Sequence, residues 1–339
     1  MKKLSLTLAH SLFLVAGLAW YLISGKNTVR SHRALVYFFC NSGGRFNDWF
    51  SRLISLRSAP LNLTSKTGVL GDMSGAEGQS ALRQLNEKGY VNFERALPAD
   101  ACERLMQFAL RTPANIRPMD GEVHSGKVRA AIYEENMPEA VRYDYAVNDL
   151  LANLDVQTLL SDRSLLALAE MYLGARPRFD VLSMWWHTNF HSQPDSEAAQ
   201  FYHFDLDRLK WIKVFIYLTD VGPHDGPHSF IEGSHGPEGI PRSLLSKGYV
   251  RLTDEEVLSH YGAQREIRFA APKGTIIVED TRGLHKGNAV SGNSRLILQL
   301  QLSNSLFGGA YPKARFPKEV SPELNLMTRE AGDVYRAYL

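Results

Sequence analysis

The sequence predicts an α+β fold, with helical segments before residue 174 and strands from residue 178 onward. Three observations carry this. Helical stretches come first, one stopping at Gly89, one after Pro98 and more over 145–173. Stretches dense in aromatic and β-branched residues follow. The last of these alternates: Arg295, Ile297, Gln299 and Gln301 face one way, and Leu296, Leu298, Leu300 and Leu302 the other. Helices first and strands afterwards argue against an alternating parallel sheet. No GxGxxG, P-loop or Gly-x-Ser-x-Gly occurs.

The 339 residues, 44% hydrophobic and 22% charged, suffice for a substantial core. A net charge of +2 offers no strong field to nucleic acid. Two cysteines, Cys40 and Cys102, are too few for a disulfide framework and fit a reducing compartment.

After Lys2 and Lys3, residues 4–24 are apolar and long enough to span a bilayer as a helix. They read as a retained anchor, with Trp20 and Tyr21 near an interface, or as a signal segment cleaved near Gly17-Leu18-Ala19. A buried helix of a soluble protein is a third reading. Lys26, Arg30, Arg33, Arg45, Arg52 and Arg57 follow the segment and place the rest of the chain in the cytoplasm. Secretion after cleavage is the alternative. Within 45–57, Phe46, Trp49, Phe50, Leu53 and Ile54 recur at helical spacing beside Arg45, Arg52 and Arg57. That helix lies either in a membrane interface or on the domain. Residues 58–77 read as linker.

From Gln79 a helix stops at Gly89, and a strand follows at Tyr90–Phe93. Pro98 precedes a new helix, with Asp100 and Glu103 spaced as a capping box. More helix fills 145–173 and ends at Gly174. Strands then occupy 178–190, 211–221, 273–280 and 295–303. The run 211–221 is apolar enough to be buried on both faces. The expected organisation is an anchor or signal segment at 1–25, an amphipathic and linker region at 26–77, a folded domain at 78–312 and a polar tail at 313–339.

The stretch QFYHFD places His203 two residues before Asp205. Chance alone gives roughly half an H-x-D in a chain with this histidine content. Alternate residues of a strand share a face, so the pair can grip one ion, and a third ligand must come from elsewhere. The loop holding His224, His228 and His235 is one source. Its i, i+4 pair lies among Gly and Pro that forbid a helix. His285, just after the strand 273–280, is the better candidate. Two His and one carboxylate form the facial triad of non-haem iron oxygenases. Arg295, ten residues later, would then meet the far carboxylate of a dicarboxylate cosubstrate. The competing partners are Glu279 and Asp280. Asp207 shares a face with Asp205 and is a substitute ligand.

Four ordered segments make the chain resemble the phytanoyl-CoA dioxygenase family of Fe(II)- and 2-oxoglutarate-dependent oxygenases. They are GYVNFERALPADACERL, QFYHFD, FIYLTDVGPHDGPHSFIEGSH and EDTRGLHKGNAVSGNSRLIL, spread over 79–305. The resemblance implies a double-stranded β-helix, a cupin-like jelly-roll, with flanking helices. It implies iron at His203, Asp205 and His285, and 2-oxoglutarate at Arg295, with Phe215 and Gln200 beside the cosubstrate. The implied reaction uses O2 to hydroxylate an unactivated C–H bond, with release of succinate and CO2. Halogenating relatives lack the iron-binding aspartate, so Asp205 favours hydroxylation. The N-terminal hydrophobic helix lies outside the resemblance and points to a lipid-like or other small-molecule substrate at a membrane. The rival reading is a membrane-tethered, cupin-like protein that binds a metal or sugar without turnover. Arg295 counts against it. The segment 112–145, with Arg117, His124, Lys127, Arg129 and Tyr143, is a candidate cover for the site mouth. Trp185, Trp186 and His187 are candidate pocket residues.

Overall fold

The computed structural model describes residues 2–116, 129–191, 193–196 and 198–339. Three helices lead: α1 (Lys2–Ser24), α2 (Val29–Ser42) and α3 (Arg45–Ser55). Thr28 and Ser31 cap α2 reciprocally, and Gly43, at φ 61°, ends it in the left-handed region that glycine favours. A short hairpin follows, β1 (Thr67–Gly68) with β2 (Gly71–Asp72). The stretch expected as linker is held against the domain. Leu61, Leu70 and Met73 are buried, and the Val69 N–H donates to Asp162 Oδ2 at 2.7 Å.

Next come α4 (Ala76–Lys88), β3 (Tyr90–Phe93) and α5 (Ala99–Arg111). The predicted capping box at Asp100 does not form. Pro98 is the cap residue, which puts Asp100 inside the first turn, where it pairs with Arg104 at 2.8 Å. Strands β4 (Ala114–Ile116), β5 (Arg129–Ala131) and β6 (Arg142–Asp144) precede α6 (Val147–Ala152), α7 (Leu154–Leu160) and α8 (Arg163–Leu173). The strand-rich half holds β7 (Arg178–His187), β8 (Trp211–Tyr217), β9 (His228–Ile231), α9 (Arg242–Leu245), α10 (Asp254–Tyr261), β10 (Glu266–Phe269), β11 (Ile276–Glu279), β12 (His285–Gly287), β13 (Arg295–Ser303) and α11 (Pro322–Glu330).

These form a mixed α and β fold around a large antiparallel sheet of eight strands, ordered β3-β11-β8-β13-β7-β6-β4-β5. A second sheet is ordered β10-β9-β12. One face of the large sheet, through Leu296, Leu298, Leu300 and Leu302, packs on α4 to α8. The C-terminal tail joins that layer, with Tyr335 stacked on Phe179 at 5.8 Å. The other face presents Phe215, Tyr217, Ile277 and Ile297 to Phe230 and Phe269 of the small sheet. Register decides which side chains meet there. The alternation of β13 sends its leucines outward and Arg295, Ile297 and Gln299 inward, toward one cavity.

The N-terminal helices are part of this body. His10 of α1 stacks on Tyr37 of α2 at 4.2 Å. Phe39 of α2 stacks on Phe204 at 5.4 Å. Asp48 of α3 pairs with Arg282 at 2.7 Å, and Asn47 donates to Leu209 O at 3.3 Å.

One buried ion pair fastens β7 and β13 to the chain that follows Asp205. Asp180 accepts from Arg208 at 2.5 Å, Ser303 at 2.9 Å and Gln301 at 3.0 Å. Asp180→Ala leaves the Arg208 guanidinium buried without its counter-charge and should cost about 3–5 kcal/mol in urea unfolding. Asp180→Asn, which keeps an acceptor, should lose less.

Candidate metal centre

His203 and His285 face each other across an isolated antiparallel bridge. The His203 N–H donates to His285 O at 3.0 Å, and the return bond is 2.9 Å. The Asp205 N–H then donates to Thr281 O at 2.8 Å. The H-x-D segment is therefore extended but lies outside any named strand, held by single bridges. The predicted alternation still operates: His203 and Asp205 line the cavity, while Phe204 and Leu206 pack on the opposite side.

Backbone carbonyls set both rings. His203 Nδ1 lies 2.9 Å from Phe201 O, and His285 Nδ1 lies 3.0 Å from Gly283 O. A carbonyl only accepts, so each Nδ1 donates and each Nε2 is turned toward the cavity. Burial works to lower the His285 pKa, but the Asp205 carboxylate outweighs it and raises it. Those Nε2 atoms sit 3.8 and 3.4 Å from the Asp205 oxygens. One ligand atom from each residue lies within 4.8 Å of the others. Two imidazole nitrogens and a carboxylate oxygen on one side of a point fit the donor set of a non-haem iron triad.

Lys213 of β8 holds the carboxylate, with Nζ 2.6 Å from Asp205 Oδ2 and 3.3 Å from Asp207. Burial works to raise the Asp205 carboxyl, but Lys213 and the two imidazoles outweigh it and keep the group well below the usual carboxylate range. Burial, aided by His285, pushes His203 well below an ordinary imidazole. The site thus presents an ionised carboxylate beside a neutral ring. Asp207, the substitute ligand, is turned to Lys213 and is absent from the cluster.

Arg295 is 1% exposed. It donates to Gly226 O and lies 2.8 Å from His187 Nδ1, while its Nε has no partner. Among the described residues no carboxylate pairs with it. The expected competitors are committed elsewhere: Glu279 to His228 at 3.0 Å, and Asp280 to Arg282 at 2.7 Å and Tyr172 at 2.5 Å. Burial lowers the Arg295 pKa, as expected of a charge without a counter-charge.

A cavity of about 200 Å³ joins the three candidate ligands to Lys213, Phe215, His228 and Arg295. That is below the roughly 300–1,000 Å³ of sites for larger organic ligands and is on the scale of a small dicarboxylate. Trp185 and His187 face it. Trp186 faces the outer core and donates to the Tyr145 hydroxyl at 3.0 Å. Gln200 does not line the cavity, because its Oε1 accepts the Asp195 N–H at 2.8 Å. Phe215 does, with its ring 4.7 Å from His228. Arg117, His124 and Lys127 lie outside the described residues. Arg129 pairs with Glu139, and Tyr143 is buried in the outer core.

Sequence reasoning missed Lys213 as a site residue, named His228 only within a loop that offered a third ligand, and named Glu279 only as a competing partner of Arg295. Lys213 carried a signal: it is the one charge in WIKVFIY, a stretch with no exposed face. His228 sits in a Gly- and Pro-rich run that reads as loop, yet β9 begins there. His235 is absent from the cavity lining and is buried beside Gly89, where burial lowers its pKa.

The family model described as Phytanoyl-CoA dioxygenase (PhyH) matches residues 85–297. An ectoine dioxygenase of Sphingopyxis alaskensis is 25% identical over 215 residues, covering 59% of this chain and 67% of that protein. One of Stutzerimonas stutzeri is 25% identical over 126 residues, covering 34% and 39%. Among solved structures, HygX from Streptomyces hygroscopicus with nickel and 2-oxoglutarate bound gives a TM-score of 0.49 at 14% identity, covering 72% of this chain and 94% of that one. EctD from S. alaskensis in its apoform gives 0.47 at 18% identity, covering 78% and 88%.

The His228–Glu279 pair makes stability depend on pH. Burial lifts the Glu279 carboxyl to about 8 and pushes His228 well below 6.5. Between pH 6.5 and about 8 the folded chain holds a proton on Glu279 that the unfolded chain has lost, so stability falls as pH rises. Below pH 6.5 the unfolded chain protonates His228 and the two slopes oppose. Glu279→Gln should remove about 1–2 kcal/mol of pH-dependent loss across the upper window. Thermal melts of both proteins at pH 6.5 and 8 check this, and equal pH profiles would contradict it.

Proposed function

The chain belongs to the phytanoyl-CoA dioxygenase family, and from that premise we propose that His203, Asp205 and His285 hold its iron and that Arg295 anchors its cosubstrate. The protein is a 2-oxoglutarate-dependent dioxygenase, with Fe(II) as its metal and 2-oxoglutarate and O2 as cosubstrates. The observation that carries the residue assignment is the pair of Nδ1–carbonyl bonds, which turn both Nε2 atoms into the cavity, where they and an Asp205 oxygen lie within 4.8 Å of one another.

Bound iron, with 2-oxoglutarate and O2, supplies an oxidative decarboxylation that yields succinate and CO2 and delivers one oxygen atom to a substrate C–H bond. The side chains prepare for it. Lys213 occupies one Asp205 oxygen and leaves the other for the metal. His203, Asp205 and His285 would hold the iron through three donors and would leave positions for the cosubstrate and O2. Arg295 receives the far carboxylate of the cosubstrate, an anion that satisfies its unpaired charge. Phe215, Trp185 and Ile297 form the apolar wall that keeps water from the reacting atoms.

The two sheets packed through Phe215, Tyr217, Phe230 and Phe269 support reading the core, residues 78–312, as a cupin-like double-stranded β-helix. The reaction proposed is hydroxylation of an unactivated C–H in a small-molecule or lipid-like substrate. Asp205 favours it over halogenation. Residues 4–24 support a retained membrane attachment with the domain on the cytoplasmic side. Cleavage near Ala19 would remove the buried Leu14 and the Gly17 contact with Ser31. A binding protein without turnover is disfavoured by the family and by a guanidinium that waits for an anion.

Full-length protein given Fe(II) and 2-oxoglutarate without oxygen should develop a weak visible charge-transfer band. His203→Ala should abolish iron binding. Arg295→Ala should keep iron but bind 2-oxoglutarate at least thirtyfold more weakly, the low end of about 2–5 kcal/mol for breaking a buried charge pair. Lys213→Met should weaken iron about 10–100-fold. A folded protein that binds no iron would end this reading.

A further inference from the structure

We propose that α1 and α3 form one docking face for an anionic lipid bilayer, with α1 lying in the plane of the interface instead of crossing it. The proposal rests on the membrane association put forward above and fixes its form.

The inner stripe of α1 is occupied. The Thr7 hydroxyl lies 2.7 Å from the Tyr37 hydroxyl, His10 stacks on Tyr37, Leu14 is buried, and Tyr21 lies 5.5 Å from Phe307. At Gly17 a Cβ would come within 2.2 Å of the Ser31 Cβ, so the two helices touch backbone to side chain. This contact runs along roughly 20 Å of helix. A bilayer core is about 30 Å thick, so a spanning α1 would draw α2, with Arg30 and Arg33, into hydrocarbon. Otherwise it would have to peel away from all these partners.

The outer side of α1 is bare. Leu8, Leu12, Val15, Leu22 and Ile23 are 62–83% exposed. Helix α3 is turned in the same sense. Its polar residues face the domain, where Asn47 donates to Leu209 O, Ser51 accepts from Asn304 at 2.6 Å, and Asp48 binds Arg282. Its outer side shows Trp49 at 57%, Leu53 at 40% and Leu56 at 83% exposure. The two outer faces are continuous through an apolar groove of about 470 Å³, where Leu18 and Leu22 of α1 meet Phe50, Leu53 and Leu56.

Charge selects the occupant. Residues 1–57 contain eight Lys and Arg against one acid, Asp48, which is already paired. The rest of the chain carries thirty Lys and Arg against thirty-five Asp and Glu. Lys26, Arg30, Arg33, Arg52 and Arg57 are exposed; Arg57 lines the groove, and Arg30 lies 5.5 Å over the Phe13 ring of α1. Exposed basic side chains in the same N-terminal region as exposed Leu and Trp suit anionic headgroups over acyl chains.

The tryptophans supply the test. Trp20 and Trp49 are half exposed, whereas Trp185, Trp186 and Trp211 are at most 6% exposed. Full-length protein is added to vesicles of phosphatidylcholine alone, or with phosphatidylglycerol, made with or without brominated chains. Binding should require phosphatidylglycerol and fall several-fold as salt rises. Bromine should quench both exposed tryptophans, and Trp49→Phe should remove about half of the quenchable signal. Reversing Arg52 and Arg57 to Glu should weaken binding at least tenfold while the melting temperature holds. Binding in which Trp49 escapes quenching would overturn the in-plane arrangement and leave the membrane association standing. Equal binding to both vesicles would overturn the anionic preference, and no binding to either would remove both. None of these outcomes touches the iron reading.

Discussion

A buried guanidinium without an acid beside it organises this protein. Arg295 is enclosed where β13 begins, and what surrounds it is a carbonyl, an imidazole and the ring of Tyr217, whose centre lies 5.9 Å away. Dipoles of this kind soften the loss of water but do not cancel a charge. Among the described residues the nearby carboxylates are spoken for. Asp205 is matched by Lys213, Glu279 by His228 and Asp280 by Arg282. The cavity is therefore balanced except at one point, and that point asks for an anion from outside. Removing Lys213 would leave the Asp205 carboxylate without its cation, and removing Asp205 would leave Lys213 with Asp207 alone.

Much of the centre was legible because its parts are close in sequence and obey strand alternation. His203 and Asp205 are two apart, and His285 and Arg295 bracket one turn between strands. The inward set of β13 could be read directly from RLILQLQLS. What could not be read depends on partners far away in the chain. His228 and Glu279 are 51 residues apart and meet only because β9 lies over β11. Gln200 precedes the H-x-D motif but is drawn off by the Asp195 N–H, a local bond that sequence spacing does not reveal. The capping box failed for a similar reason: Pro98 took the cap position, and Asp100 found Arg104 instead.

The N-terminal region shows the limits of hydropathy more sharply. By composition residues 4–24 suit a free span, and 58–77 suit a linker. Both are packed. Helix α2 is the reason for the first, because it offers Ser31, Tyr37 and Leu35 to α1 on one side and Phe39 to Phe204 on the other. Phe204 lies between the two candidate ligands His203 and Asp205. The His32 ring also bonds Leu206 O at 2.9 Å. The helical layer thus backs the segment that carries His203 and Asp205, and a domain cut at residue 60 would lose that support.

The turn between His285 and Arg295 is pinned from outside its own strands. Ser291 and Gly292 N–H groups both donate to His224 O, and the Asn293 N–H donates to Asp225 Oδ1 at 2.7 Å. With both ends fixed in antiparallel pairing, the number of residues between them is not free to drift. One inserted residue in β13 itself would turn Arg295 into the leucine-lined core and a leucine toward the cavity. Over evolutionary time such a segment should accept substitutions at Ala289, Ser291 or Asn293 far more readily than any change of length. Lineages that do alter its length should be those in which Arg295 no longer faces the cavity.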